Sequence, residues 1–363
     1  MERQILFTGK NAKLSHRERV LLSLQHRETD RIPLAMICSG INPPADKRFD
    51  KYLREHHGTT LQAYLDVHLD AEMLGIDTKK KLSEGFDIWG VHRSCLPNGK
   101  GGYNYNMDYR PLANAETLED LARHVWPTVE MMDYEALATQ VKKIRATTDK
   151  AIVLGNGNIF ETSWYMRGFE EIFIDLATAP DFAHALFTHV ADFYIEYLTC
   201  ALRAIPSEID LVFTADDIAG QEGLLMSLPM WEEFIKPHHR RLNDRIHELG
   251  AKVIYHSDGA VMEAVPGFID MGIDVLQALQ FDATAMCPET LKKLYGDRLC
   301  FEGGVSVQHT LPFGTLDDVR REVTNLISTL GKSGGYILGP SHVIQEETPA
   351  ENIATMFETA LNF

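Results

Sequence analysis

Two strand-like segments in the second half of the chain end in groups that hold protons or metals. Phe213–Asp217 runs from an apolar strand into the adjacent carboxylates Asp216 and Asp217, and Ala251–Gly259 runs from Val253–Tyr255 into His256 and Asp258. Carboxylates at the exit of a buried strand are costly to desolvate, so they usually have a task. A plainer role for one of them is to cap a turn. Further polar groups follow other apolar segments: Asn156, Asn158 and Glu161, then Gln277, Glu302 and His342. Two chemistries fit this set. His256, Glu302 and His342 could supply three nitrogen and oxygen ligands with a fourth position open, as in catalytic zinc sites. Alternatively, Asp216 or Asp217 and His342 could do acid/base work without a metal. No Lys is placed for a Schiff base, and no Ser or Cys has a clear neighbouring base.

These groups need elements that present them together. Strand candidates are Leu34–Cys38, a weaker one near Leu74–Asp77, Ala151–Leu154, Leu211–Thr214, Val253–Tyr255, Val275–Leu279, Leu299–Phe301 and Tyr336–Leu338, with helical stretches between them. Eight strands alternating with helices predict a (β/α)8 TIM barrel with functional groups at the C-terminal strand ends. A doubly wound sheet is the alternative, but Gly155-Asn-Gly-Asn158 lacks the third glycine and the acidic partner of a dinucleotide site. Ser15 and Glu18 form a capping box, which predicts an N-terminal helical extension carrying Val20, Leu21 and Leu24 on one face. Met230–Leu249 reads as one helix that begins at Pro229 and stops at Gly250; Phe182–Ile205 reads as a long apolar one. The helix opened by Thr315 and Asp318 carries Val319, Val323, Leu326 and Leu330 inward, and the last helix packs Ile353, Met356, Phe357 and Leu361. Asn98-Gly99 predicts a hairpin turn over 97–102. No linker rich in Pro, Gly or Ser divides the chain, so residues 1–363 read as a single domain.

Other side chains have two readings each. Trp164 and Arg167, soon after the third strand of the regular series, are either a substrate wall or the start of a packed helix; Asp87, in Phe86-Asp-Ile-Trp-Gly90, faces the mouth or caps its loop. Asn156, Glu161 and Gln277 complete the expected substrate-binding set.

The formal net charge of −17 argues against a nucleic-acid partner, because backbone binding needs clustered Lys and Arg. Cys38, Cys95, Cys200, Cys287 and Cys300 are scattered without a CxxC pair, which suits reduced thiols. The first residues lack a long apolar run, and no run reaches the ~18 residues of a membrane span. The expected location is therefore the cytoplasm.

The chain resembles the uroporphyrinogen decarboxylase superfamily. The resemblance is carried by Arg17–Val20 with Asp30–Pro33, Phe86–Gly90, Pro111–Ala113, Trp126-Pro127 and Met166–Glu170. It continues through Asp216–Gln221, Phe234–Pro237, His256–Gly259, Gly303–Val305 and Gly335–His342. It implies a TIM barrel with its site at the C-terminal mouth, and it makes a homodimer the expected assembly. The decarboxylases of the family carry an arginine-rich Arg-Gln-Ala-Gly-Arg-Tyr segment after the first strand, which pairs with the carboxylates of a tetrapyrrole. Here Cys38-Ser-Gly-Ile-Asn-Pro-Pro44 stands in that place, without arginine. Another branch holds corrinoid-linked methyltransferases whose thiol-activating members use zinc on His-x-Cys and a later Cys. This chain has His256-Ser-Asp258 and Pro340-Ser-His342, a harder donor set suited to an oxygen or nitrogen methyl donor.

The resemblance therefore implies a methyltransferase that moves a methyl group from a small methylated, O-methyl compound to a corrinoid protein, its leaving group activated either by the zinc candidate site at His256, Glu302 and His342 or by protonation. Cobalamin would be carried by the partner, and Asp216, Asp217, His256 and His342 would be catalytic. The alternatives are a metal-free decarboxylase of a tetrapyrrole or other carboxylate, and a non-catalytic barrel that binds a small molecule.

Overall fold

The computed structural model describes residues 13–99 and 102–363. Seven strands form one curled parallel sheet: β1 (Ala71–Leu74), β4 (Ala151–Asn158), β5 (Leu211–Ala215), β6 (Lys252–His256), β7 (Val275–Ala278), β8 (Cys300–Val305) and β9 (Tyr336–Pro340), hydrogen-bonded in that order. An antiparallel hairpin, β2 (His92–Pro97) and β3 (Tyr103–Tyr109), stands apart from it. The hairpin predicted at 97–102 is present as paired strands, and Lys100 and Gly101 of its turn lie outside the described residues.

The expected first strand, Leu34–Cys38, shrinks to one bridge. Leu34 pairs with Leu338 on β9, and its carbonyl accepts the Asp70 N–H at 2.7 Å beside β1. That single residue spans the gap between the outermost strands of the sheet and gives the ring a TIM-barrel-like closure. Its shortness has a physical cause. Pro33 has no N–H to donate, and the Leu34 N–H is taken by the Asp70 carboxylate at 2.8 Å instead of a strand partner. The strand expected near Leu74–Asp77 lies earlier, at Ala71–Leu74, in register with Ala151–Leu154.

The strands alternate cleanly between two cores. Leu211, Phe213 and Ala215, with Val153, Ile254, Val275, Cys300 and Ile337, fill the barrel interior, whereas Val212, Val253, Tyr255, Leu276 and Phe301 pack outward under the helices. This is the period-2 rule of a strand buried on both faces. It determines which strand-end residues reach the mouth.

Around the sheet, the capping box at Ser15 and Glu18 forms as expected and opens the helix His16–Leu24. Thr315 and Asp318 cap Leu316–Leu330, which buries Val319, Val323, Leu326 and Leu330. The stretch expected to be one helix from Met230 is two, Leu228–Phe234 and Lys236–Glu248. Pro237 cannot donate to the preceding turn, so the helix breaks at Ile235. Among the described residues, no helix is long and apolar enough to cross a membrane.

Candidate active site

Parity places the chemistry. His256 lies two residues after the inward-facing Ile254, Gln277 two after Val275 and Glu302 two after Cys300, and these three are register partners across β6, β7 and β8. His256 is buried and donates from Nδ1 to Gln277 Oε1. The Gln277 NH2 group donates to the Ile37 carbonyl at 2.9 Å, which sets the direction of the carboxamide. Nδ1 is thereby committed as a donor, and Nε2 of His256 is left to face Asp217 at 3.6 Å and Asp258 at 4.0 Å. Across the mouth, His342 Nε2 lies 3.7 Å from the other Asp258 oxygen.

His256, Asp258 and His342 can each offer one ligand atom within 4.8 Å of the others. A tetrahedral ion with bonds near 2.0–2.2 Å spaces its ligands by roughly 3.3–3.6 Å. The observed separations need only small side-chain adjustment, and Nε2 of His256 is the nitrogen left for a metal. The donor set therefore fits a cation such as zinc. In this cluster Asp258 stands where Glu302 was expected. Glu302 is fully buried behind Gln277, and neither carboxyl oxygen has a hydrogen-bond partner. Burial raises its pKa well above the usual carboxylate range.

The surrounding charges are mostly negative. Burial disfavours the His256 imidazolium, but the carboxylates of Asp258, Asp217 and Glu161, with the Gln277 hydrogen bond, outweigh it and raise the pKa. Burial also raises Asp258, against the pull of His256, with the Asp217 charge adding to it. Glu161 is pushed up to about 7 by burial and by the neighbouring Asp217 and Asp216. Its oxygens accept from Asn158 at 2.5 Å and from the Tyr165 hydroxyl at 3.1 Å. The Arg93 guanidinium sits 4.6 Å over the Tyr165 ring and pairs with Asp87. Arg93 escaped the sequence reading, because nothing in its spacing joins the hairpin to the mouth.

Several expected site residues do other work. Asp216 follows the inward Ala215 and so faces outward. It is fully buried, accepts the Phe160 and Glu161 N–H groups at 2.8 Å each, and bonds His239 Nε2. It caps the helix Ile159–Arg167 and leaves Asp217 to the mouth. Arg167 is committed to Asp175 at 2.8 Å and to the Leu112 and Ala113 carbonyls. Asp87 caps its own loop through the Trp89 and Val91 N–H groups. Trp164 packs on Tyr165 and Phe169, and Asn156 is exposed with its Oδ1 on the Gly157 N–H. The sequence did hold the signal for Asp258: alternate residues at a strand end share a side, so His256 and Asp258 belong together.

Gly259 knits the site loops. Its φ of +86° and the carbonyl of Gly220, 2.5 Å from where a Cβ would stand, admit glycine alone. Beside Asp258 and His342 opens a cavity of about 360 Å³ that also borders Gln280, Ser341 and Phe313. A larger cavity of about 730 Å³ lies at the other end of the strands, among Arg19, Arg31 and Lys150 and away from this chemistry.

The fold matches a methyltransferase from Methanosarcina mazei with a TM-score of 0.66 at 18% identity, over 96% of this chain and 98% of that one. In sequence, a uroporphyrinogen decarboxylase from Carboxydothermus hydrogenoformans is 24% identical over 186 residues, which is 50% of this chain and 47% of that protein. The chain thus spans about half the length of that curated relative. Residues 109–363 match the uroporphyrinogen decarboxylase (URO-D) family, and with so much of its length inside that match the chain belongs to this family.

Proposed function

We propose that this protein is a cytoplasmic methyltransferase that takes a methyl group from a small O-methyl compound and passes it to cob(I)alamin on a corrinoid protein. The observation that carries the reading is the convergence of His256, Asp258 and His342 at the mouth of a URO-D-family barrel. The likeness to a methanogen methyltransferase agrees with it at the level of the fold. A methyl–oxygen bond breaks heterolytically, the nucleophile takes the methyl group, and the leaving oxygen takes the bonding pair. That oxygen is a poor leaving group unless its charge is neutralised. Zinc held by the three side chains would supply a Lewis acid there. The chain itself orients His256 through Gln277, surrounds the site with Asp217 and Glu161, and holds on Glu161 a proton that is exchangeable near neutral pH.

A second reading, metal-free decarboxylation, draws on the same Glu161 proton and on the decarboxylase relative. Charge weighs against it, since among the described residues no Lys or Arg lines the cavity beside Asp258 to hold a carboxylated substrate.

The test is plasma mass spectrometry of the purified protein, followed by methylation of cob(I)alamin. About one equivalent of zinc, lost together with turnover in His256→Ala while the fold persists, is the expected result. Full activity in His256→Ala, or carbon dioxide release with no need for a corrinoid, sinks the proposal.

A further inference from the structure

The end of β7 breaks the alternation that the rest of the sheet keeps. Val275 faces the barrel interior, Leu276 faces the helices, and Gln277 returns inward to His256. The same count sends Leu279 inward and Gln280 out under the helices. The structure has them the other way round. Leu279 packs in the outer core, and Gln280 borders the mouth cavity beside Asp258 and His342. Two successive left-handed residues make the exchange, Ala278 at φ +90° and Leu279 at φ +57°, a conformation that residues with a Cβ rarely adopt. The neighbouring strand makes room for it: a Cβ on Gly303, the register partner of Ala278, would stand 2.6 Å from the Ala278 carbonyl. Backbone strain of this kind persists where the position it creates has a use.

The strain delivers a buried carboxamide with both ends engaged. Gln280 Oε1 accepts the Gly259 N–H at 2.9 Å, and its NH2 group donates to Gln221 Oε1 at 2.9 Å on the loop after β5. The N–H of Asp258 itself goes to Asp217 Oδ1 at 2.9 Å. Side chains thus pin the peptide groups on both sides of the Asp258 Cα, and only its side-chain torsions remain to aim the carboxylate between His256 and His342. We infer that Gln280 is a positioning residue for the metal site: it fixes the Asp258–Gly259 peptide against the loop after β5, and so sets the third ligand opposite the two imidazoles. This rests on the reading of Asp258 as a metal ligand in the proposed transferase.

The test uses the full-length protein and the metal alone. Zinc affinity is read by competition with a chromogenic chelator, and the visible absorption of the cobalt-loaded protein reports ligand geometry. Gln280→Leu, similar in volume, should weaken zinc roughly 10- to 100-fold and alter the cobalt bands. Gln280→Asn, polar but a methylene too short to reach the Gly259 N–H, should do the same, which guards against a leucine variant that fails to fold. Gln280→Glu restores an acceptor to that N–H and should return the cobalt spectrum to its native form, with zinc affinity no more than about threefold below native. Native affinity and spectrum in Gln280→Leu and Gln280→Asn, or a loss in them that Gln280→Glu does not mend, overturns the role. Absence of metal binding by the native protein removes both this role and the metal site beneath it. Metal binding that follows these variants, without methyl transfer to cob(I)alamin, keeps the role of Gln280 and rejects the reaction.

Discussion

The ring of His256 has one nitrogen committed and one offered. Gln277 Oε1 receives the Nδ1–H, and the Ile37 carbonyl keeps the carboxamide from turning over. Gln277→Leu retains much of the volume and removes the acceptor, so Nδ1 loses its partner. Zinc affinity, measured by competition with a chromogenic chelator, should fall roughly 10- to 100-fold; an unchanged affinity would take Gln277 out of the site. Glu161 makes a different prediction. Its pKa is raised from 4.5 in the unfolded chain to about 7 in the fold, so the native state binds the proton more tightly. The stabilisation is complete below about pH 4.5 and is lost as pH rises through 7. Glu161→Gln should flatten this part of the pH dependence of the urea midpoint between pH 5 and 8, and a slope identical to that of the native protein would refute the assignment. Of this residue chemistry, the inward parity of His256, Gln277 and Asp258 was legible from the strand pattern. Counting two residues on from Phe213 and Ala215 would also have separated Asp217 from Asp216. The pairing of Arg167 with Asp175 was not legible, since a buried ion pair leaves no periodic trace.

Among the elements, the helix Ile159–Arg167 brings Glu161 to the mouth, and Asp216 holds its first turn. Asp216 also bonds His239, on the helix Lys236–Glu248, so one carboxylate ties β5 to two helices. Asp216→Ala strands two N–H groups and an imidazole in a dry environment and should cost about 3–5 kcal/mol in urea unfolding. A loss under about 1 kcal/mol would mean that water replaces it. Helix starts were the most readable features of the chain, because Ser15 with Glu18 and Thr315 with Asp318 are local hydrogen-bond devices. The break at Ile235 was foreshadowed by Pro237, which a reading of one helix from Pro229 to Gly250 passed over. The first strand was misjudged for a tertiary reason: a run that looks like a strand was robbed of its ladder by Pro33 and by a carboxylate distant in sequence.

For the whole molecule, Asp70 guards the seam. Besides the Leu34 N–H, its carboxylate receives Arg19 at 2.6 Å, Arg31 at 2.7 Å and His16 at 2.7 Å. Burial would raise its pKa, but His16, Arg31 and Arg19 hold it below the usual range. Its contribution is therefore present above the unfolded value of 3.8 and fades as pH falls through the lower folded one. Asp70→Ala leaves two arginines facing each other at the closure of the ring and should lower stability by about 3–5 kcal/mol, read from urea midpoints. A variant as stable as the native chain would show that the seam is held elsewhere.

The three candidate ligands come from strand ends that do not touch. His256 ends β6 and Asp258 follows it, His342 follows β9, and β7 and β8 lie between them. A cation gripping all three would act as a brace across that wall and join loops that no backbone ladder connects. Occupancy would then be felt as heat resistance, growing with the logarithm of free metal and reaching about 2.7 kcal/mol at a hundred times the dissociation constant. A melting curve recorded across a zinc titration would thus report the site with no substrate present, and a cell poor in zinc would hold a looser protein as well as an idle one.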